Sequence, residues 1–329
     1  MRRGQRISVA LVAAVSVGAG LGARVLASEH LGRWSVKAPM PSSRTEVAVA
    51  ELGGRIYVIG GFGSGGNVVE AYEPRRDRWE RRASLPATRH HAGAAATGGK
   101  LYVIGGYEEW SGLGSVFEYD PIADRWRSRR PMLTPRGALA TAVMDGKIFA
   151  VGGVGSNGKN TGAVEVYDPA TDQWGSLAPL PTPRDHLALA AAAGRLFAIG
   201  GRIQGNFARN LGTNEAYDPV TNRWSPRAAL PTPRSGIATA TLGGRIYVFG
   251  GEAPTGTFRV TEAYDPTADL WVALAPMPTA RHGLGAAVWE GAIYVLSGGP
   301  DPGGSYSGVN EVFFPPRVPC EPPARERCP

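Results

Sequence analysis

The feature that most constrains the fold is an internal repeat that fills most of the 329-residue chain. In every copy an arginine follows a tryptophan by ten residues and precedes a glycine position by sixteen, and the copies recur every 45 to 50 residues. The six arginines are Arg44, Arg89, Arg136, Arg184, Arg234 and Arg281. Short apolar runs between glycine-rich turns at such a period are typical of propeller blades. The sequence therefore predicts an all-β, six-bladed β-propeller with four-stranded blades.

Each copy carries further marks in a fixed order. A strand-like run such as RIYVIGG ends in paired glycines, a Tyr follows, and a Trp stands seven residues beyond each of the first five Tyr. The pairs are Gly60-Gly61, Gly105-Gly106, Gly152-Gly153, Gly200-Gly201 and Gly250-Gly251, with Ser297-Gly298 as a departure in the sixth copy. This pattern resembles the kelch repeat, from about Trp34 to Pro315. The resemblance implies that loops around the channel mouth form a binding face.

The two ends of the repeat predict how the ring closes. Trp34 stands ten residues before the first repeat arginine, yet no three strands of its own precede it. Conversely, the last copy stops at Pro315 and lacks its Trp strand. We expect the N-terminal strand to complete the last blade, which leaves no open sheet edge.

Residues 1–27 have the order of a secretory signal, with basic residues, an apolar run and small residues before Ser28. We expect a secreted or periplasmic protein with residues 28–315 as the propeller; a retained N-terminal membrane anchor is the alternative. Residues 316–329 form a Pro-rich tail whose Cys320 and Cys328 are expected to form a local disulfide.

Removal of the signal also changes the charge balance. The full chain has a formal net charge of +7, whereas residues 28–329 hold 31 basic against 28 acidic side chains. An excess this small gives no reason to expect nucleic acid as a partner. After signal removal we expect no membrane partner either.

Length variation is confined to one connection in each blade. The interval from the first glycine position to the Tyr, or to Phe313 in the last copy, varies from 12 to 17 residues, while the other intervals stay constant. These loops join the second and third strands and must emerge on one face. Variable loops on a fixed scaffold are where binding is usually found.

A residue present in every blade serves the blade, so a unique site must lie where the repeats differ. The repeat arginines are predicted to pair with recurring glutamates, namely Glu70, Glu165, Glu215, Glu262 and Glu311, and Phe117 breaks this series in blade two.

The differences cluster just after each repeat arginine and in the variable loops. The candidate ligand-binding residues are Glu46, His90, His91, Tyr107, Glu108, Trp110, Asp185, His186, Arg202, Phe207, Arg209 and His282. Other polar or aromatic loop residues include Phe62, Glu252 and Tyr306.

The histidines raise the question of a metal. Inner strands spaced by ordinary sheet packing would place the starts of blades two, four and six about 17 Å apart, too far for a shared zinc ion. We therefore expect no metal and no cofactor. Galactose-oxidase-like copper chemistry is also not expected, because the propeller body lacks the cysteine which that family cross-links to tyrosine.

The sequence thus favours a binding module whose loop face takes a protein segment or a glycan. The alternative is an enzyme resembling the bacterial sialic acid mutarotases, which are exported kelch propellers. Candidate acids and bases for such chemistry are Glu46, Glu108, Glu109, Asp185, His90 and His186. No motif assigns catalytic residues, and the sequence does not specify the oligomeric state.

Overall fold

The computed structural model describes residues 31–63 and 65–316, and within these ranges it holds strands, turns and no helix. Six four-stranded antiparallel sheets form the blades of a β-propeller. The first three blades comprise Ala48–Leu52, Arg55–Ile59, Val69–Glu73 and Arg78–Arg81; Gly93–Thr97, Lys100–Ile104, Val116–Asp120 and Arg125–Arg129; and Ala140–Met144, Lys147–Val151, Val164–Asp168 and Gln173–Ser176. The last three comprise Ala188–Ala192, Arg195–Ile199, Asn214–Asp218 and Arg223–Pro226; Ala238–Leu242, Arg245–Phe249, Thr261–Asp265 and Leu270–Ala273; and Gly285–Trp289, Ala292–Leu296, Asn310–Phe314 and Arg33–Val36. The predicted fold class is confirmed.

The ring closes through strands from both ends of the repeat region. Arg33–Val36 pairs antiparallel with Asn310–Phe314, with Trp34 opposite Phe313. The Trp34 indole also donates from Nε1 to the carbonyl of Ala275 in blade five, at 2.8 Å. The predicted closure of the last blade by an N-terminal strand is confirmed.

Small residues allow the innermost strands to pack closely around the channel. A Cβ added at Gly93 would lie 2.3 Å from Cγ2 of Thr141 in the next blade, and one at Gly285 would lie 2.1 Å from Cγ2 of Val49. The apolar core lies between neighbouring sheets; Tyr57 of blade one, for example, packs in one cluster with Leu101 of blade two. Alanine and glycine are therefore the residues that bring the inner strands together.

The repeated tyrosine and tryptophan tie the outer parts of the blades together. Tyr72 donates from its hydroxyl to Asp77 at 2.5 Å, and Asp77 also accepts the backbone N–H of Ala38 in the preceding sequence repeat. Trp79 donates from Nε1 to the carbonyl of Ala38 at 2.8 Å. Equivalent indole bonds to the preceding repeat are made by Trp126, Trp174, Trp224 and Trp271.

The repeat arginines are buried inside their own blades and pair with the recurring glutamates. The predicted pairs Arg44–Glu70, Arg136–Glu165, Arg184–Glu215, Arg234–Glu262 and Arg281–Glu311 are all present. In blade two, the guanidinium of Arg89 instead lies 5.4 Å from the ring centroid of Phe117. The prediction that these arginines belong to the scaffold is confirmed.

Successive strands of each blade are antiparallel, so alternate connections emerge on opposite faces. The variable loops and the returns from the outer strand to the next inner strand share one face, which we call the mouth face. Five two-stranded ribbons extend the sheets there: Arg44–Thr45 with Phe62–Gly63, Tyr107–Glu108 with Ser111–Gly112, Arg136–Gly137 with Val154–Gly155, Arg202–Ile203 with Asn206–Asn210, and Glu252–Ala253 with Gly256–Thr257.

The predicted signal at 1–27 and the Cys320–Cys328 pair lie outside the described residues. Within the described part of the chain, no helix has the length and apolar character needed to cross a membrane.

Candidate functional site at the channel mouth

A closed ring of backbone hydrogen bonds surrounds the channel at the mouth face. It is built by the residue two positions after each repeat arginine, and all six have left-handed φ values between 50° and 64°. Each donates its N–H to the carbonyl of its counterpart in the preceding blade, at 2.7 to 3.1 Å. The members are Glu46, His91, Ala138, His186, Gly236 and Gly283. We call this set the mouth ring.

The mouth ring brings together side chains that the sequence estimate placed far apart. His91 of blade two and His186 of blade four have ring centroids only 4.8 Å apart. The expected spacing of about 17 Å is wrong because it used the distance between packed sheets. The chain instead turns inward ahead of each inner strand, and one hydrogen bond joins each ring residue to the next.

The mouth ring separates two cavities. On the channel side, a small cavity of about 100 Å³ is lined by the ring and by the residues that follow it: Val47, Ala92, Leu139, Leu187, Ile237 and Leu284. On the mouth face, a larger pocket of about 380 Å³ lies among the variable loops. Glu46 and His91 line both cavities. We call the larger cavity the mouth pocket.

The mouth pocket has a charged floor and an aromatic rim. The floor is formed by Glu46, His91, Arg202, Glu252 and His282. The rim is formed by Phe62, Trp110, Phe207 and Tyr306, with Gly205, Gly303 and Gly304 between them. A polar base surrounded by aromatic faces suits a ligand with both apolar and hydrogen-bonding surfaces.

Two of the floor side chains, Arg202 and Glu252, come from a second repeated position, the residue directly after each glycine pair. In every blade, the residue after the glycine pair forms backbone hydrogen bonds or a β-bridge with the residue after the repeat arginine. The six pairs are Thr45–Phe62, His90–Tyr107, Gly137–Val154, Asp185–Arg202, Ser235–Glu252 and His282–Gly299. The residue after the glycine pair differs in every blade, so the repeat presents five different side chains and one glycine at the mouth.

Arg202 is the centre of the buried polar network. It is 7% exposed. Its guanidinium donates to Glu252 at 2.5 Å, lies 2.7 Å from His186 Nε2 and reaches Asp185 at 3.3 Å. Its charge also lies 5.8 Å from the ring centroid of Phe207. Most of the N–H donors of Arg202 are engaged within the protein. Arg202 therefore positions the neighbouring floor side chains and has few donors left for a ligand.

Asp185 is fully buried and holds three mouth-face segments together. It accepts from Asn160 Nδ2 at 2.5 Å and from the Gly205 backbone at 2.9 Å, and it contacts His186 Nδ1 at 2.5 Å. Burial opposes ionisation, but these partners outweigh it and lower the pKa of Asp185 to about 2. Asp185 is therefore a charged anchor beneath the pocket and does not face a ligand.

Glu46 lies between two imidazoles. Its Oε2 is 3.5 Å from Nε2 of His91, and its Oε1 is 3.4 Å from Nδ1 of His282. Burial opposes ionisation of Glu46, yet the imidazoles around it, led by His91, hold its pKa well below the ordinary range.

The two imidazoles themselves are shifted in opposite directions. Burial lowers the pKa of His91 to about 3. Burial also disfavours a charged His282, but Glu46 and Glu252 outweigh it and raise the pKa of that imidazole. The floor therefore holds a carboxylate beside groups of different basicity, an arrangement that could move a proton as well as bind a ligand.

An aromatic cluster forms one wall of the pocket. The His90 ring stacks on Phe62 with centroids 3.8 Å apart, and Trp110 lies 5.4 Å from Phe62. Tyr107 packs against His90 at 5.5 Å. Trp110 is nevertheless 71% exposed, so one face of its indole is available for stacking.

The structure places the twelve candidate residues in three groups. Those that line the mouth pocket are Glu46, His91, Trp110, Arg202, Phe207 and His282. Those that pack behind it are His90, Tyr107, Asp185 and His186. Glu108 and Arg209 are exposed and do not line the pocket.

Glu252, Phe62 and Tyr306 line the pocket although sequence reasoning did not select them as candidates. A signal for the first two existed. Phe62 and Glu252 directly follow a glycine pair, as Arg202 does, and an alignment of the six copies at that position would have found both. Tyr306 lies in the variable loop of blade six, and because these loops differ in length from blade to blade, no aligned position indicates that it reaches the pocket.

The sixfold ring of four-stranded blades defines a β-propeller, and the mouth pocket makes one of its faces asymmetric. A model of the KLHDC2/KLHL20/DRC7 Kelch-repeats domain matches residues 26–201, and the Kelch motif matches residues 183–231 and 233–278. The chain therefore belongs to the kelch-repeat family.

The solved structure of YjhT resembles this chain with a TM-score of 0.74 over 84% of this chain and 96% of that one, at 17% sequence identity. At this identity the similarity supports the fold alone. No curated protein is significantly similar in sequence. Because 994 solved chains match at significance, the fold does not by itself select a ligand.

Proposed function

We propose that this protein is an exported binding module that takes a glycan in the mouth pocket. A kelch propeller of this kind is suited to binding, and the observation that carries the choice of ligand is the pocket itself. About 380 Å³ of space combines four aromatic side chains with a charged floor. That volume is in the range of small-ligand sites. Export is proposed from the signal-like residues 1–27.

Sugar chemistry fits both parts of the pocket. A pyranose presents C–H groups on its faces, which pack on aromatic rings, and hydroxyls around its edge, which need hydrogen-bond partners. Trp110 offers an exposed indole face at the rim, and Glu46 offers carboxylate oxygens at the floor. Charged acceptors make the stronger hydrogen bonds to hydroxyls.

A glycan array followed by calorimetric titration of the best hit tests this proposal. We expect Trp110→Ala to weaken binding about tenfold or more, as expected for loss of a stacked aromatic worth roughly 1 kcal/mol or more. Ile122→Ala is the matched control, because Ile122 is 94% exposed in a turn on the opposite face. If the protein bound no glycan on the array but did bind a peptide, the proposed ligand would be a protein segment and not a glycan.

A second candidate function is interconversion of sugar anomers, and it rests on the carboxylate and imidazoles at the pocket floor. Glu46 faces His91 and His282 at 3.5 and 3.4 Å, and ring opening needs an acid and a base near the anomeric oxygen. Proton NMR of anomer exchange distinguishes the two functions. An enzyme would accelerate exchange of the bound sugar and lose that acceleration in Glu46→Gln, whereas a lectin would bind without accelerating it.

A further inference from the structure

His282 is a buried imidazole at the floor of the mouth pocket. It is 1% exposed, and among the described residues neither of its ring nitrogens has a partner within hydrogen-bonding geometry. Its Nε2 packs so closely on Gly299 that a Cβ there would lie 2.8 Å away. Its Nδ1 faces two carboxylates. A buried polar group left unpaired is costly, so this nitrogen calls for an explanation.

The distances around Nδ1 suit a bound ion better than a hydrogen bond. Oε1 of Glu46 lies 3.4 Å and Oε1 of Glu252 lies 3.5 Å from it, beyond the usual 2.7–3.2 Å of N–H···O bonds. Ligand atoms held about 2.0–2.2 Å from a tetrahedral metal are separated by roughly 3.3–3.6 Å. The three ligand atoms of this cluster all lie within 4.8 Å of one another.

The charge of the buried cluster points the same way. The buried cluster contains three carboxylates, those of Glu46, Asp185 and Glu252, and one guanidinium, that of Arg202, which pairs with Asp185 and Glu252. With neutral imidazoles the cluster carries two negative charges in excess. A protonated His282 would balance one of them, whereas a divalent cation would balance both. Buried charges are normally paired or bound to metal.

We propose that Glu46, Glu252 and His282 form a site for a divalent transition-metal ion at the floor of the mouth pocket. One imidazole with two carboxylates favours a borderline ion such as Zn²⁺ over Mg²⁺ or Ca²⁺, which prefer oxygen ligands alone. The remaining coordination position faces the mouth pocket, where an oxygen of a ligand could occupy it.

Neighbouring groups orient the two carboxylates. Glu252 Oε1 accepts from Arg202 at 2.5 Å, and Glu252 Oε2 accepts from the backbone of Gly303 at 2.9 Å. Oε2 of Glu46 faces His91 while its Oε1 faces the proposed site. Outer partners of this kind are what fix metal ligands in proteins.

The second cluster of potential ligands, Glu46, His91 and His186, is less suited to a metal. Both nitrogens of His186 are engaged, Nδ1 with Asp185 at 2.5 Å and Nε2 with Arg202 at 2.7 Å. A metal bound through either nitrogen of His186 would have to displace one of these two buried contacts. Metal binding by His282 would displace no hydrogen bond of its ring nitrogens among the described residues. The site is assigned to His282 for this reason.

Zinc titration of tag-free protein, stripped with a chelator, tests the site directly and needs no knowledge of the organic ligand. All proteins should carry Cys320→Ser and Cys328→Ser, so that the tail cannot bind zinc. His282→Ala removes the imidazole, and Glu46→Gln removes one charged ligand with little change in shape. Glu80→Gln is the matched control for Glu46→Gln, because Glu80 is exposed on the outer strand of blade one and lies outside the cluster.

We expect the parent protein and Glu80→Gln to bind one Zn²⁺ per chain, with binding weakened about 100-fold or more in His282→Ala and Glu46→Gln. Co²⁺ should give a visible d–d spectrum in the parent that is lost in His282→Ala. Thermal melts in chelator check that each variant is folded. No zinc binding by the folded parent, or binding unchanged in both folded ligand variants, would overturn the proposal. Neither result depends on whether the pocket binds a glycan.

Discussion

His91 of blade two and His186 of blade four lie with their ring centroids 4.8 Å apart at the channel mouth. They meet because each belongs to the mouth ring, in which one backbone hydrogen bond links neighbouring blades. Side chains far apart in sequence therefore share one small pocket. The residues that depart from the sixfold repeat are thereby brought together at the channel mouth.

The buried arginine–glutamate pairs should be major contributors to stability. Arg184 donates to Glu215 and to the carbonyls of Gly200 and Ala198 at 2.5 to 2.8 Å. Arg184→Gln leaves a buried carboxylate unpaired, so we expect it to lower the free energy of unfolding by about 3–5 kcal/mol. Urea denaturation measures the change.

Arg89→Gln is the matched control for that experiment, because Arg89 occupies the same position in blade two without a buried glutamate. Its nearest carboxylate, on the exposed Glu108, lies 3.8 Å away. We expect a smaller loss, about 1–2 kcal/mol. If Arg184→Gln and Arg89→Gln lowered the free energy of unfolding equally, the pairing with Glu215 would contribute nothing to stability.

The mouth ring contains two glycines in the same left-handed conformation but with different surroundings. Gly236→Ala should lower the free energy of unfolding by about 1–2 kcal/mol through backbone strain alone. Its new Cβ would lie 3.4 Å from Cβ of His282, which is an ordinary van der Waals contact. At Gly283 the new Cβ would lie 2.4 Å from Thr45 Oγ1 and 2.6 Å from Glu46 Oε1. Gly283→Ala should therefore cost about 1–3 kcal/mol more. Thermal melts that rank the two variants in the opposite order would refute the crowding argument.

The N-terminal strand should be required for a closed ring. Deletion of residues 1–36 removes the outer strand of blade six and exposes the edge of Asn310–Phe314. An exposed edge of this kind promotes association between chains. We therefore expect a lower melting temperature and the elution of aggregates in size-exclusion chromatography. Deletion of residues 1–27 keeps the strand and serves as control. A deletion to 36 that stayed monomeric and equally stable would contradict this interpretation.

Asp185 should make stability depend on acid pH. Its folded-state pKa of about 2 lies below its ordinary value of 3.8, so the folded state binds fewer protons than the unfolded state between these values. The stabilisation, about 2–3 kcal/mol, is present above about pH 5 and is lost as the pH falls towards 2. The gap in unfolding free energy between wild type and Asp185→Asn should thus be larger at pH 6 than at pH 2.5. A gap that did not change with pH would argue against a charged Asp185.

Much of the fold could be predicted from the sequence because the repeat is strict. The constant interval from Trp34 to Arg44, and its repetition, fixed the number of blades and their closure. The arginine–glutamate pairs were predictable as well, because both partners recur. A change such as Phe117 in the glutamate position correctly marked the blade that lacks the pair.

The arrangement of the site was less accessible. The left-handed residues of the mouth ring carry no common side chain, since the position holds Glu46, Ala138 and Gly236 among others. Only its two glycines hinted at the conformation. The distance between blades at the mouth follows from that backbone geometry and from no single residue, which is why spacing based on sheet packing was too large.

Titration calorimetry with the sugar selected by the array tests most directly whether the mouth pocket is the binding site. We predict one ligand per chain, with binding weakened about tenfold or more in Trp110→Ala and unchanged in Ile122→Ala. Several equivalent ligands per chain, or binding insensitive to Trp110, would contradict the account, because binding would then follow the sixfold repeat or another surface.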